Sequence, residues 1–157
     1  MDIKQTLKEM KILHGALFVG VILFAGVSIV IHLELELGAE LVILPEQALY
    51  IIILVVAAAI YMGHFLFTKN IALIEENLSL EEKVNRYRSA SILRAALIET
   101  AALSTIIGYI LSGDLLYLIL LAVPLMYFVY TFPKENTVVH SLQLTYAEQQ
   151  KLGLFST

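Results

Sequence analysis

Two charged residues, Arg94 and Glu99, interrupt a long apolar stretch that runs from Ala90 to Leu111. A charged side chain at the centre of a bilayer costs at least about 2.5–3.5 kcal/mol on insertion scales, so such residues usually face a protein interior or a partner. A carboxyl group in that setting can hold a proton or a cation, or it can hydrogen-bond to another helix. This pair is therefore the first place where the chain could do chemistry.

The expected depths of Arg94 and Glu99 differ. If the stretch enters a membrane at Ala90, a rise of about 1.5 Å per residue puts Arg94 about 6 Å deep and Glu99 about 13–14 Å deep, close to the midplane. The long stem of Arg94 can return its charge to the interface, whereas the shorter Glu99 cannot easily do so. The two side chains also lie about 140° apart around a helix. We therefore expect Glu99 to have a partner on another helix or to be protonated.

Two histidines and a proline supply possible partners. His14 and His64 are expected closer to the membrane surface than Glu99, and Tyr127 at a similar depth to them. Pro124 cannot donate a helical hydrogen bond, which frees the carbonyl of the residue four positions earlier. A protonated Glu99 would donate to that carbonyl of Leu120. An ionised Glu99 would instead pair with His64 or with Arg94 of a neighbouring chain.

Small residues predict close helix packing at the same level. Gly20 and Gly63 each follow an alanine by four residues. This small-xxx-small spacing lets two helix backbones approach closely. Together with Pro124, these glycines predict a tightly packed inner half of the protein with polar groups around Glu99.

A structural role for Glu99 is favoured over a chemical one. A single buried glutamate that bonds to a neighbouring helix is a common packing and specificity device. A carboxylate that handles protons or cations is the second interpretation, and His14, His64 and Glu99 as a metal site is a remote third. No nucleophile–base pair, phosphate loop or metal-ligand spacing occurs in the sequence. We therefore predict no catalytic residues, no metal and no cofactor.

The composition indicates a membrane protein. Apolar residues make up 59% of the 157-residue chain and charged residues 15%, and the mean hydropathy is +0.84. Soluble domains are nearer to about 45–50% apolar and about 25% charged. The absence of cysteine excludes disulfides and thiol chemistry. The net charge of −4 excludes a broad basic face for nucleic acid.

Four segments are apolar enough to be transmembrane helices, which need roughly 20 residues each. They cover residues 13–31, 48–67, 90–111 and 115–132, and the last is slightly short. They predict one all-α membrane domain, a bundle of four transmembrane helices with a tail over residues 133–157. Nine of the ten Lys and Arg residues lie before the first span, between the second and third, or after the fourth. By the positive-inside rule, the N- and C-termini are therefore cytoplasmic.

Capping signals locate helix starts outside the spans. Ser79 and Glu82 have capping-box spacing, so the third helix is expected to begin near Leu80. If the second helix runs on past Phe67 toward Asn77, the two form a helical hairpin on the cytoplasmic side.

The same spacing recurs in the tail. Thr145 and Glu148 predict a short helix from Tyr146 to Leu152. On the outer side, Leu33 to Leu37 alternate with glutamates, a period of two that predicts a short strand or an extended segment.

The stretch LSLEEKVNRYRSASILRAALIETAALSTIIGYILSGDLLYLIL resembles a group of small, uncharacterised four-helix integral membrane proteins of bacteria, especially the Bacteroidetes. Similar proteins have a basic N-terminus, two apolar spans, a polar segment ending in EEK-x-x-x-Y, and a third span with a basic residue and a glutamate. Many have LLEGPAL where this chain has residues 97–103, so Thr100 and Ala101 remove a Gly-Pro kink. The resemblance implies the four-span layout, the positions of Arg94 and Glu99, and a bacterial inner membrane.

Two better-known families share single features. Rotor-ring proteolipids of rotary ATPases also place a glutamate among alanines at mid-membrane, but this chain lacks their dense glycine repeats. Membrane glutathione transferases of the eicosanoid type are four-span proteins of this size, but no asparagine lies between Arg94 and Glu99.

The function expected from the sequence is that of a non-enzymatic structural, assembly or interaction component. Its partners would be the lipid bilayer and either a second copy of the chain or another membrane protein, with no nucleic acid. The alternative is a small transporter or pore, coupled to protons or cations through Glu99.

Overall fold

The computed structural model describes residues 3–34, 45, 47–75 and 77–151. This part of the chain is α-helical with connecting turns and contains no strand, which confirms the all-α prediction for it. The helices are α1 (Ile3–Glu34), α2 (Gln47–Ala72), α3 (Leu80–Ser112), α4 (Leu115–Tyr130), α5 (Glu135–Leu142) and α6 (Tyr146–Lys151).

Three helices are long and apolar enough to cross a membrane. The mean hydropathy of their most apolar segments is 2.6 for α1, 2.3 for α2 and 1.6 for α3. The fourth expected span is shorter, because α4 has only 16 residues. It reaches the required length only together with α5, from which it is bent by 71°. The fold therefore has three candidate membrane spans, or four if the bent pair counts as one.

Helix α3 is the centre of the molecule, because α1, α2 and α4 all pack against it. Its buried residues recur at intervals of three and four, as on one side of a helix. They form the middle of an apolar core that we call the upper cluster. Its members are Val21 and Ala25 of α1, Ala95, Ile98, Ala102 and Ile106 of α3, and Leu121 and Phe128 of α4.

A second apolar core lies where α1 begins, α2 ends and α3 begins. We call this region the basal end of the protein and its core the basal cluster. The members are Leu7 and Met10 of α1, Phe67 of α2, Val84, Tyr87 and Ala90 of α3, Val138 and Leu142 of α5, and Leu144. The helical hairpin expected between α2 and α3 is therefore present, and it is packed against α1 and α5.

The segment expected to be a tail is packed against the helices. Val138 and Leu142 lie four residues apart on α5, so both face the basal cluster. Lys11 of α1 and Glu135 at the start of α5 form an ion pair of 2.8 Å. Pro133 lies in the bend before α5, where its missing N–H and its effect on Phe132 end the preceding helix. Residues 152–157 are outside the described part.

The capping-box predictions are confirmed. The Glu82 amide donates to the Ser79 hydroxyl at 3.3 Å, and α3 begins at Leu80. The Thr145 amide and hydroxyl both donate to Glu148 at 2.8 Å, and α6 begins at Tyr146.

Two sequence expectations need correction or fall outside the described residues. Helix α2 ends at Ala72 instead of continuing to Asn77, because the chain turns there and the Ile74 amide donates to the Ile71 carbonyl. Leu33 and Glu34, expected to be extended, are the last residues of α1. The rest of that outer segment, residues 35–44, lies outside the described part.

A tight turn joins α3 to α4. Gly113 caps α3 with φ of 67°, a left-handed conformation that favours glycine. A side chain there would also collide with the ring of His32 at the end of α1, since a Cβ would lie 2.5 Å from its Cε1. Asp114 then caps α4 by accepting a hydrogen bond of 2.9 Å from the Leu116 amide.

Candidate functional site

Arg94 lies inside the protein instead of extending to its surface. The residue is 8% exposed. Its guanidinium carbon is 3.7 Å from the centroid of the Phe67 ring, a geometry in which cation and ring attract each other. Its Nη2 donates to the Thr131 carbonyl at 3.3 Å. Within the described residues it has no carboxylate partner, and its Nε has no hydrogen-bond acceptor.

His14 binds the same end of α4 from another helix. The residue is buried, and its Nε2 donates to the Phe128 carbonyl at 2.9 Å, since a carbonyl only accepts. The imidazole meets the rings of Phe128 and Phe132 edge-on, with centroids 5.2 and 5.4 Å away. His14 is therefore held by α4 and not by Glu99.

Arg94 and His14 both donate hydrogen bonds to carbonyl groups at the C-terminal end of α4. The last carbonyls of a helix lack intrahelical donors, and the helix end carries about half a negative charge. Thr131 adds a third donor, because its hydroxyl donates to the Tyr127 carbonyl at 2.9 Å. Donors from α1, α3 and α4 itself thus satisfy carbonyls that lie among apolar side chains. This arrangement gives Arg94 and His14 a structural role.

Glu99 is half-buried and forms no hydrogen bond or ion pair with any described residue. The contacts expected within the chain, to the Leu120 carbonyl and to His64, do not form among the described residues. Arg94 is enclosed by its own helices, so it is also not exposed to a neighbouring copy. The polar inner half expected around Glu99 is instead organised around Arg94.

Glu99 lies at the edge of a surface of α3 that no other helix of the described chain covers. We call this surface the open face of α3, and its exposed members are Ile92, Leu93, Ala96, Thr100 and Ile107. Ala96 and Thr100 are four residues apart and small, a spacing that permits close approach of a second helix. The Thr100 hydroxyl donates to the Ala96 carbonyl at 2.9 Å, which leaves its oxygen free to accept.

His64 is exposed and lies on a different surface. Its Nδ1 is 3.3 Å from the Tyr127 hydroxyl, so α2 and α4 are joined there by a hydrogen bond. This pair closes the basal end of a groove of about 620 Å³ between the two helices. The remaining walls are almost entirely apolar, with Tyr61 and Tyr130 beside the histidine.

The two glycines singled out by spacing differ in their surroundings. Gly63 is buried against α3, where a Cβ would lie 3.5 Å from Leu97 and 3.6 Å from Arg94. These are ordinary van der Waals distances, so α2 packs against α3 at Gly63 but an alanine would also fit there. Gly20 has open space around its Cβ position, so within the described chain it packs against no other helix.

Pro124 is fully buried within a continuous α4. The sharp bend in this region occurs after Thr131, at the junction with α5. The missing hydrogen bond makes Pro124 a candidate position for a kink, but α4 continues through it as a helix and the 71° bend comes at the junction with α5.

His14, His64 and Glu99 do not assemble a metal site. Among the described residues, no three His, Cys, Asp or Glu side chains are grouped so that they could hold an ion. The chain matches no known protein family, no curated protein and no solved structure.

Sequence reasoning missed the residues that bind Arg94. In the sequence, Phe67 stands only as the last residue of the second apolar span, and Thr131 lies near the end of the fourth. The signal for Thr131 is the sequence Thr131-Phe132-Pro133, because a proline two residues after a polar residue is typical of a helix end.

Proposed function

We propose that this chain is a multi-pass protein of the bacterial cytoplasmic membrane that acts, without enzymatic activity, by assembling with a second copy of itself. The membrane location is supported by the three long apolar helices and by the exposed apolar side chains along them. In a bilayer those side chains contact lipid. The bacterial inner membrane is supported by the resemblance described above.

The charge distribution supports a cytoplasmic basal end. Seven of the basic side chains described lie at this end or just beyond it: Lys8, Lys11, Lys69, Lys83, Arg86, Arg88 and Lys134. An excess of Lys and Arg marks the cytoplasmic side of membrane proteins. A reporter active only in the cytoplasm should therefore fluoresce when it is fused after residue 151, and a periplasmic phosphatase fused there should be inactive. The reverse pattern would contradict the orientation.

One observation carries the assembly proposal: Glu99 lies at the edge of the open face of α3 without a partner in the described chain. A polar group at mid-membrane is stabilised when it hydrogen-bonds across a helix interface. In a symmetric pair, a protonated Glu99 can donate to the Thr100 hydroxyl of the second copy. The small side chain of Ala96 permits the two α3 helices to approach closely enough.

Cysteine cross-linking tests this interface directly, because the chain contains no cysteine. We expect Ala96→Cys and Thr100→Cys to give disulfide-linked dimers when membranes are oxidised. Ile119→Cys is the matched control, since Ile119 is 67% exposed but lies on α4. Equal cross-linking at all three positions, or none at Ala96 and Thr100, would reject the open face as the interface.

Glu99→Leu tests the role of the carboxyl group in assembly, because leucine is of similar size and cannot donate a hydrogen bond. Interhelical hydrogen bonds in membranes contribute about 0.6–1.7 kcal/mol, and the symmetric pair contains two of them, so dimerisation should weaken about 8- to 300-fold. Glu75→Leu is the control, because Glu75 is exposed near the end of the α2–α3 hairpin. Energy transfer between labelled copies in lipid vesicles measures both dissociation constants. An unchanged constant for Glu99→Leu would show that the carboxyl group does not hold the dimer together.

A proton- or cation-coupled transporter or pore is the second candidate, and the same unpartnered Glu99 favours it. A carboxyl group that is half-buried and free of hydrogen bonds can bind a proton or a cation that reaches it. In this case Glu99→Gln would leave folding and association intact and abolish ion-dependent transport.

A hydrophobic carbodiimide distinguishes the two candidates, because it modifies protonated carboxyl groups that it reaches from the membrane. Labelling of Glu99 that sodium or high pH prevents would support ion handling. If Glu99 stays unlabelled across the pH range in a folded dimer, and becomes labelled when the dimer is dissociated, the assembly proposal is supported.

A further inference from the structure

The groove between α2 and α4 has the dimensions of one lipid chain. Its walls run from Ile53 to His64 on α2 and from Leu120 to Tyr130 on α4. At about 1.5 Å per residue these walls are about 15–17 Å long. One leaflet of a bilayer contributes half of a hydrocarbon core about 30 Å thick. The groove is therefore about as long as one leaflet is deep, and it extends from the basal part of the spans past their middle.

The volume of the groove is also suitable. It measures about 620 Å³, and ligand sites in proteins usually hold about 300–1,000 Å³. None of its lining residues belongs to α3, so it is separate from the open face through which we propose assembly.

The polar and apolar parts of the groove are arranged as in an amphiphile. The polar side chains are at the basal end, and aliphatic side chains line the remainder. The polar ones are Tyr61, His64, Tyr127 and Tyr130. The His64–Tyr127 hydrogen bond and the tyrosine hydroxyls offer donors at the level where a lipid headgroup begins.

The charge near this end is positive. The guanidinium of Arg94, which donates to the Thr131 carbonyl at the basal end of α4, has no carboxylate partner among the described residues. Lys69 and Lys134 follow the two walls of the groove by a few residues, and neither forms an ion pair within the described chain. No Asp or Glu lines the groove.

From this juxtaposition we infer that the groove binds one acyl chain of an anionic phospholipid of the leaflet at the basal end, with its phosphate beside His64, Tyr127 and Tyr130. The inference rests on the membrane location proposed above. A phospholipid fits better than a free acid because the groove lies on the lipid-facing surface. One chain can occupy it while the second remains in the bilayer.

Photo-labelling in vesicles tests the inference. The purified chain is reconstituted in phosphatidylcholine vesicles, and flotation first shows whether it inserts. Trace phosphatidylglycerol or phosphatidylcholine with a photoactivatable group in one acyl chain is then added, and labelled residues are mapped by mass spectrometry. A chain that fails to float would refute the membrane location itself. A chain that floats and is labelled evenly on all its helices would overturn only the lipid site.

We expect labelling to concentrate on the walls of the groove and to be about fivefold stronger with phosphatidylglycerol, the effect of one basic side chain near an anionic lipid. Replacement of Lys69 and Lys134 by glutamine should bring the ratio of the two probes close to one, because it removes the positive charges that follow the two walls of the groove. Equal labelling of the wild-type groove by both probes would overturn the anionic specificity.

A pair of tryptophan variants controls for changes in the lipid-facing surface. Val123→Trp fills the groove and should reduce labelling at least fivefold. Ile119→Trp, one turn away on α4 and outside the groove, should leave it unchanged. Equal effects of the two variants would overturn the site. Displacement of the probe by a free fatty acid but not by phosphatidylglycerol would overturn it too, as would disulfide-linked dimers of Val123→Cys.

Discussion

The guanidinium of Arg94 lies over the ring of Phe67 at 3.7 Å and donates to the carbonyl of Thr131 at 3.3 Å. Arg94, a charged residue in an apolar stretch, thus connects three helices. Phe67 belongs to α2, Arg94 to α3, and Thr131 caps the end of α4. The positive charge meets the negative end of a helix dipole and the negative face of an aromatic ring.

Arg94→Lys should therefore destabilise the protein although it preserves the charge. A lysine cannot both lie flat on Phe67 and donate to Thr131, and each lost interaction contributes about 0.5–1.5 kcal/mol. We expect a loss of about 1–3 kcal/mol in the free energy of unfolding, measured by circular dichroism in detergent. Arg86→Lys is the control, because Arg86 forms only an exposed pair with Glu82. Equal losses for the two variants would contradict the role assigned to Arg94.

His14→Leu tests the second donor at the end of α4. Leucine has a similar size but cannot donate, so the Phe128 carbonyl loses its bond from Nε2. An unsatisfied buried polar group costs about 1–3 kcal/mol, and we expect the unfolding free energy to fall by this amount. His140→Leu serves as the control, because His140 is exposed on α5. If both variants unfold alike, the bond from His14 is unimportant.

Gly108 and Gly20 make a matched pair of predictions about packing. At Gly108, a Cβ would lie 2.5 Å from the ring of Tyr117 and 2.8 Å from Ile52. Gly108→Ala should therefore push the Tyr117 ring of α4 and the Ile52 side chain of α2 away from α3. We expect this to lower the free energy of unfolding by about 1–3 kcal/mol. Gly20→Ala meets open space and should be neutral or stabilising by up to about 1 kcal/mol, because alanine favours helix. The free energies of unfolding of both variants are measured by circular dichroism in detergent, as for Arg94→Lys. Equal effects would show that Gly108 is not a close-packed position.

The ion pair between Lys83 and Glu148 should make the attachment of α6 sensitive to acid. Burial disfavours the charged form of Glu148. The hydrogen bonds from Thr145 and the charge of Lys83, 3.0 Å away, outweigh burial and lower the pKa of Glu148 below its ordinary value. A group with a lowered folded-state pKa stabilises the fold above its unfolded pKa, about 4.3, and this contribution is lost as the pH falls through the folded value.

Hydrogen exchange measures this effect. The protection factors of α6 amides, which compare the observed exchange with the intrinsic rate at the same pH, should be high at neutral pH and should fall once the pH is below about 4. In Glu148→Gln, α6 should be less protected at neutral pH, and the acid step should disappear. An acid step that persists in this variant would assign the effect to another carboxyl group.

Local signals in the sequence were sufficient to predict where α3 and α6 begin. Ser79 with Glu82 and Thr145 with Glu148 satisfy their own helix ends within four residues, so no tertiary partner is needed to predict them. The turn at Gly113 also depends on local residues, because the left-handed conformation that ends α3 favours glycine. Helix α5 was missed because its eight residues carry only two buried side chains, Val138 and Leu142.

The environment of Arg94 could not be predicted from its own segment. Its partners are far away in the sequence, since Phe67 lies 27 positions earlier and Thr131 lies 37 positions later. Without them, the sequence predicts only an arginine side chain that extends to the interface. For Glu99, the sequence correctly marked a polar residue among apolar ones. It did not show that the described part of the chain leaves this carboxyl group without a partner.

The distance in sequence between Arg94 and Thr131 has a consequence for how the protein is made. Arg94 and the Phe67 ring are both synthesised before residue 131, whereas the carbonyl that accepts from Arg94 comes later. In the proposed membrane setting, α3 is also the least apolar of the three long spans. We therefore expect a chain that ends before residue 131 to lack the hydrogen bond that joins α3 to the end of α4, and to hold α3 in the membrane less stably than the full chain does.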